Sequence, residues 1–253
     1  MIYILIALVF IGTLLLIYMY KQAHLNIVRK HEFSFSHAKL NKPIRLFFIS
    51  DIHRRTIHPS IIDEVIGQVD VVIIGGDLLE KCVPLKRVHN NLEKLRRLAP
   101  IYFVWGNNDK EVLQVTIMSL FRKNGVQVLK NTSATILHDN KGFSLIGVDD
   151  MNTGLVDLES ALSGVNESSF KILVSHDPRV LSLIEPEHKI SLVLSGHTHG
   201  GQIRIFGFGP YEMGKTHISK EVVQIVSNGY GTTALPLRLQ AKPEAHHIII
   251  ESF

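Results

Sequence analysis

Leu46-Phe47-Phe48-Ile49-Ser50-Asp51-Ile52-His53 decides the fold: an apolar run that stops abruptly at an acid and an imidazole. The run over residues 44–49 is too short for a helix and has no polar stripe, so it reads as a strand buried on both faces. The same construction recurs four times. Residues 69–74 lead through Gly75 and Gly76 to Asp77, and residues 101–105 lead through Gly106 to Asn107-Asn108-Asp109. Residues 170–174 lead through Ser175 to His176, and residues 192–194 through Ser195 and Gly196 to His197-Thr198-His199. Five strands thus deliver Asp, Asn or His at their C-terminal ends, the edge where open α/β sheets bind ligands.

Between these runs, residues 60–68, 85–98 and 111–124 carry apolar positions three and four apart and predict helices, with Gly125 as a C-terminal cap. Residues 134–149 predict a hairpin around Asp139-Asn140-Lys141-Gly142. A second hairpin-like pair is expected between residues 201–206 and 222–226, and a last strand over 247–250. The pattern predicts an α/β domain with two sheets, more mixed than purely parallel.

Further out, Ile2 to Tyr20 carries no charge. Roughly 20 apolar residues in a helix cover the hydrocarbon core of a bilayer. No Lys or Arg precedes the run, and Tyr18, Met19 and Tyr20 close it with bulky groups where a signal peptide needs small ones. The expectation is an uncleaved single-pass helix over 1–20, a basic juxtamembrane linker over 21–42 and one catalytic domain over 43–253. Lys21, Arg29, Lys30, Lys39 and Lys42 face only Glu32 in that linker, which places the domain on the cytoplasmic side of the cell membrane.

Composition limits the alternatives. The 253 residues carry a formal charge of only +4, with no long basic run in the body, so nucleic-acid binding is not indicated. The single cysteine, Cys82, excludes an intramolecular disulfide framework. Each strand-end motif alone has an ordinary explanation, since Gly-Gly-Asp is commonly a turn and a lone strand-end His a core residue. The five together, in one order, are far harder to ascribe to chance. Imidazoles, carboxylates and one amide oxygen form a mixed N/O donor set suited to Mn, Fe or Zn, and the lack of thiolates argues against structural zinc.

Asp51-Ile52-His53, Gly76-Asp77, Gly106-Asn107-Asn108-Asp109, His176 and Gly196-His197-Thr198-His199 resemble the five blocks of the calcineurin-like metallophosphoesterases. The likeness runs from about Pro43 to the C-terminus. Gly196 to Gln202, with Ser227-Asn228-Gly229-Tyr230-Gly231 and Leu235-Pro236-Leu237-Arg238, resembles a bacterial, membrane-anchored branch. The resemblance implies a two-sheet sandwich flanked by helices and two divalent cations per chain, manganese first and iron or zinc next. It puts Asp51, His53 and His199 on one cation, Asn107, His176 and His197 on the other, and Asp77 between them. The implied reaction is in-line attack on phosphorus by a metal-bridging hydroxide.

One position departs from the family pattern. Asn108 stands where the family usually has a His that assists the leaving group, and an amide can donate a hydrogen bond but not transfer a proton. The expected substrate is therefore a phosphodiester or pyrophosphate, lipid- or nucleotide-linked, rather than an alkyl monoester. Arg54, just after the first block, is the candidate substrate contact, because guanidinium matches phosphate oxygens. A phosphoprotein phosphatase and a non-catalytic metal-binding membrane protein are the competing readings.

Overall fold

A computed structural model describes residues 1–253 apart from 39, 139–140, 220–221 and 253. The chain begins with α1 (Ile2–Ala23), then β1 (Val28–Ser34), β2 (Ile44–Ile49), α2 (Pro59–Val65), β3 (Val71–Ile74) and α3 (Leu85–Arg96). It continues with β4 (Ile101–Phe103), α4 (Gln114–Asn124), β5 (Gln127–Val128), β6 (Thr132–His138), β7 (Lys141–Gly147) and α5 (Leu158–Leu162). It closes with β8 (Phe170–Val174), β9 (Leu192–Ser195), β10 (Thr216–Ile218), β11 (Val223–Val226) and β12 (Ala245–Glu251).

Two six-stranded sheets stack face to face, in the orders β1-β12-β2-β3-β4-β5 and β10-β11-β9-β8-β7-β6. β2 to β5 run parallel, as do β7, β8, β9 and β11, while β6 and β10 form antiparallel edges. This is the mixed two-sheet architecture the pattern predicts. The run that opened the sequence is explained by its two faces. Leu46 and Phe48 point between the sheets toward Leu145, Ile172 and Leu194, whereas Phe47 and Ile49 point outward under Ile62, Leu92 and Leu95 of α2 and α3. A strand covered on both sides must be apolar at every position, and each such side chain contributes about 1.5–3 kcal/mol.

α3 presents Val88, Leu92 and Leu95 on one stripe, and α4 ends where Gly125 takes φ 67°. α1 is exposed along its length except at Met19, Gln22 and Ala23.

Besides displaced element ends and the unexpected short elements α5, β5 and β10, the structure departs from expectation in two places. Part of the stretch read as a linker is β1, paired in parallel with β12 from Val28↔Ala245 to Ser34↔Glu251. Its Arg29, Lys30 and Glu32 are exposed on a sheet edge, so charge concealed the strand. The pairing expected between 201–206 and 222–226 does not form. β11 pairs instead with β9 and β10, while Ile203 bridges to Leu239 and Gln240. Gly200 and Gly201, at φ 59° and 75°, turn the chain away from the sheet before a strand can start. The 134–149 hairpin does form, as β6–β7, although its turn residues Asp139 and Asn140 lie outside the described residues, as does Lys39 of the basic cluster.

Candidate metal centre

Parallel strands end at a common edge, so the residue after each strand lands beside its neighbours'. Sharp turns there aim the side chains inward. Asp51, His53, Asp77, His197 and His199 all have positive φ, between 49° and 72°. Left-handed backbone at a residue with a Cβ costs about 1–3 kcal/mol, a strain that clusters at functional sites. Gly76 keeps the floor open: a Cβ there would sit 2.6 Å from His176 Nδ1.

The structure brings six of the seven expected ligand residues together, and the seventh, Asn107, adjoins Asn108, whose N–H donates to Asp77. His53 Nε2 and His199 Nε2 face each other at 3.0 Å, and His199 Nε2 lies 3.4 Å from Asp51 Oδ1. His176 Nε2 is 3.2 Å from His197 Nδ1 and 3.3 Å from Asp77 Oδ2. The same Asp77 oxygen lies 3.7 Å from His53 Nε2, so it reaches one imidazole of each group. Ligand atoms of Asp51, His53 and His199, and of Asp51, Asp77 and His176, all fall within 4.8 Å of one another.

The chemistry of this donor set fits cations. Ring nitrogens that face each other at hydrogen-bond distance need a proton or a cation between them. Asn107 Oδ1 is buried with no hydrogen-bond partner, although its amide nitrogen donates to Asn108 Oδ1 at 2.6 Å. A buried oxygen without a partner, one residue from the Asn108 N–H that holds Asp77, suits a cation. Burial, with His53 and Arg238 adding, holds His199 well below the ordinary imidazole range, so it is neutral as a ligand must be. Burial opposes charge on His176 as well, but Asp77 and Asp51 outweigh it and raise that group.

Supporting residues orient this first layer. His176 Nδ1 donates to Gly75 O at 2.8 Å, leaving Nε2 free to face the centre. His53 Nδ1 is held 3.0 Å from Glu80 Oε2, and the pairing keeps Glu80 below the usual carboxylate range. Asp109 accepts from the backbone N–H groups of Asp77, Gly106 and Leu79 at 2.7, 2.9 and 3.2 Å. Burial, with the Asp77 charge beside it, pushes Asp109 up to about 7. Arg238, fully buried, donates to the carbonyls of Gly231, His199, Ala241, Asn228 and Gly229. Burial lowers it to about 10, so it stays charged at neutral pH.

Sequence reasoning assigned no role to Glu80, Asp109 or Arg238. A signal existed for Glu80, an acid three residues after Asp77 inside an apolar Leu-Leu context. Arg238 stood out only within the Leu235-Pro236-Leu237-Arg238 resemblance, because its partners are backbone carbonyls from three separate stretches of chain. Of the expected substrate-side residues, Asn108 is half-buried at the rim, its backbone N–H donating to Asp77 Oδ1 at 2.8 Å. Arg54 is exposed and paired through Nε with Glu80. Arg55 points away from the centre, bonding Tyr230 O and Leu25 O and stacking on Tyr230 at 3.9 Å.

Comparison with known proteins agrees with this geometry. The family model for calcineurin-like phosphoesterases matches residues 44–201. The uncharacterized protein YpbG of Bacillus subtilis is 43% identical over 234 residues, 92% of this chain and 90% of that one. A transmembrane protein with metallophosphoesterase domain from Danio rerio is 30% identical over 82% of this chain, which spans 53% of that protein. The phosphodiesterase YaeI of Escherichia coli is 27% identical over 64% of this chain and 63% of its own length.

Proposed function

The chain belongs to the calcineurin-like phosphoesterase family and is a metal-dependent phosphoester hydrolase; from that premise we propose that it cleaves a phosphodiester or pyrophosphate at a two-cation centre held against a membrane. The observation that carries this reading is the Asp77 carboxylate, whose Oδ2 stands between His53 of one donor group and His176 of the other. Asp51, His53 and His199 would hold one cation, Asn107, His176 and His197 the second, and Asp77 both. An N/O set of this kind suits manganese, with iron or zinc as the alternatives. Bound cations would supply Lewis-acid charge and a lowered water pKa at neutral pH.

The remaining chemistry belongs to the protein. Asn108 has an amide at the rim with which to donate to a leaving-group oxygen, but no proton to give. Arg54, anchored by Glu80, keeps guanidinium N–H groups exposed for a phosphate oxygen. An ester whose leaving group needs no protonation is therefore preferred. The phosphoprotein-phosphatase reading has no observation of its own here, and the non-catalytic one conflicts with family membership.

The test compares bis-p-nitrophenyl phosphate, p-nitrophenyl phosphate and a phosphoserine peptide with Mn²⁺. It uses the full chain in detergent, because truncation at Pro43 would strip β1 from β12. Manganese-dependent cleavage that favours the diester is the expected result. Preferential hydrolysis of the phosphopeptide would replace this reading by the phosphatase one.

Two variants probe individual roles. Asn108→His restores a proton donor and is expected to raise kcat/KM on an alkyl monoester such as glycerol phosphate by about 10²-fold. An unchanged rate would show that the position does not face the leaving group. Glu80→Ala frees His53 to rotate and is expected to weaken Mn²⁺ binding about 10–100-fold by calorimetry. Glu80→Gln, which keeps an acceptor for His53 Nδ1, recovers part of that loss; equal losses in both variants would count against an orienting role.

α1 is long and apolar enough to cross a membrane. We read it as an anchor with the domain on the cytoplasmic side, since Lys21, Arg29 and Lys30 follow it closely. Protease accessibility of the domain in intact cells against inverted vesicles checks the orientation.

A further inference from the structure

The end of α1 is built into the catalytic domain rather than joined to it by a tether. Met19, Gln22 and Ala23 are buried, and the backbone N–H of Arg238 donates to Met19 O at 3.1 Å. Tyr18 and Tyr20 flank Met19, and tyrosines of this kind mark the headgroup level of a bilayer. The loop that ends at Arg238 therefore meets the helix at that level, and Leu235 is exposed there.

A second apolar feature grows from the same place. Leu239 donates to Gln202 O and accepts from Arg204 N–H, so the hairpin that follows the His199 turn is seated against the residue next to Arg238. Gln202 ties the two loops further, donating to Thr233 O and Leu235 O and accepting from Thr233 N–H. The hairpin closes through mutual bonds of 2.9 Å between Ile205 and Phe208. Its tip, Ile205-Phe206-Gly207-Phe208-Gly209-Pro210, carries no charge.

Neither burial nor backbone preference explains that tip. Phe206 and Gly207 occupy the two turn positions with φ 52° and 84°, where Asn-Gly would be the favoured pair. A bulky residue in left-handed backbone is a genuine outlier. Yet Phe206 is 90% exposed, Phe208 82% and Ile205 61%. A contiguous apolar tip, held outward at a cost and uncompensated within the protein, marks a binding surface.

We propose that this tip inserts into the lipid surface from which α1 emerges, giving the enzyme a second membrane contact beside the metal centre. The inference rests on the anchor reading of α1. The occupant is lipid because the hairpin is continuous, through Leu239 and Arg238, with the level at which the helix leaves the domain. His197 and His199 lie at the hairpin's root, with the Tyr211 ring 6.2 Å from that of His197. Two contacts would orient the centre toward the bilayer and present it with phosphate at headgroup depth, so a phosphate carried by a lipid becomes the natural substrate class.

The experiment places one fluorescent nitrobenzoxadiazole label at a time on the full chain, in a Cys82→Ser background, in phosphatidylglycerol–phosphatidylethanolamine vesicles. Labels go on Phe206→Cys at the tip, Leu14→Cys in the helix and Ser168→Cys before β8, at the opposite edge of the sheet. An interfacial group sits about 5–10 Å into the headgroup–acyl boundary. The Phe206→Cys label should therefore lose emission to shallow nitroxide lipids and resist aqueous iodide. The Leu14→Cys label should respond to deep nitroxides and the Ser168→Cys label to iodide alone. Iodide quenching at Phe206→Cys with Leu14→Cys in lipid overturns the proposal and spares the anchor. Protection of Phe206→Cys from both quenchers means that protein covers the tip and also overturns it. Iodide quenching at Leu14→Cys removes the anchor and the proposal together.

Discussion

Asp77→Asn is expected to lower Mn²⁺-dependent kcat/KM by on the order of 10³ or more while leaving the fold intact. Cation charge is worth several kcal/mol at a phosphoryl transition state, and about 1.4 kcal/mol corresponds to a factor of ten. The substitution is nearly isosteric. The amide can keep its oxygen at the Oδ1 position, where it still accepts from Asn108 N–H. Its nitrogen then takes the Oδ2 position, putting N–H donors against His176 Nε2 and His53 Nε2 where lone pairs had converged on a shared point. The metal-free fold loses some stability, because His176 and His53 hold Asp77 in its charged form against burial and the Asp51 charge. Metal content by mass spectrometry, circular dichroism and steady-state kinetics on the diester together provide the test. A variant that binds two cations and retains activity would sink the assignment of Asp77 as the shared ligand.

Arg238→Met is expected to destabilise the protein by about 3–5 kcal/mol, because removing one side chain strands several buried acceptors at once. Gly231 O, Asn228 O and Ala241 O lose their donor, whereas His199 O and Gly229 O keep the backbone N–H groups of Gln202 and Glu244. Methionine fills much of the space, so the loss reports hydrogen bonding more than a cavity. For a chain of this size the change corresponds to a fall in Tm of about 10 °C or more. Arg238→Lys should recover little, since one ammonium cannot reproduce a planar fork of five donors. Thermal melts of the full chain in detergent check both variants. A melt within a couple of degrees of the parent would show that water replaces the guanidinium. The His199 turn depends on the same residue, so metal affinity should fall alongside stability.

The strands were legible because each is covered on both faces, which forces a short unbroken apolar run such as Leu46 to Ile49. The helices were legible from their stripes, with ends displaced by a few residues: the third was expected from residue 111, but α4 begins at Gln114 after a short 3₁₀ turn. β1 and β5 were not legible. β1 is a charged edge strand, and β5 has only two residues. The apolar hairpin at 205–208 resembled a strand because Ile203, Ile205 and Phe206 have the composition of one, whereas the backbone closes on itself. The candidate ligands stood out because each lies within four residues of a strand's C-terminal end, so covalent proximity carried the information.

The chain by itself determined which runs become the doubly covered core strands, which polar groups stand at their ends, and the donor chemistry those groups offer, since all three depend on neighbours in sequence. Only the tertiary structure decided that β12 returns between β1 and β2, and that Glu80 turns back onto His53. It also decided that Arg238 gathers carbonyls from distant loops, and that the C-terminal end of α1 packs into the domain beside them. Those outcomes depend on hydrogen bonds and contacts between segments up to about 200 residues apart, whose closure leaves no periodicity for a sequence to display.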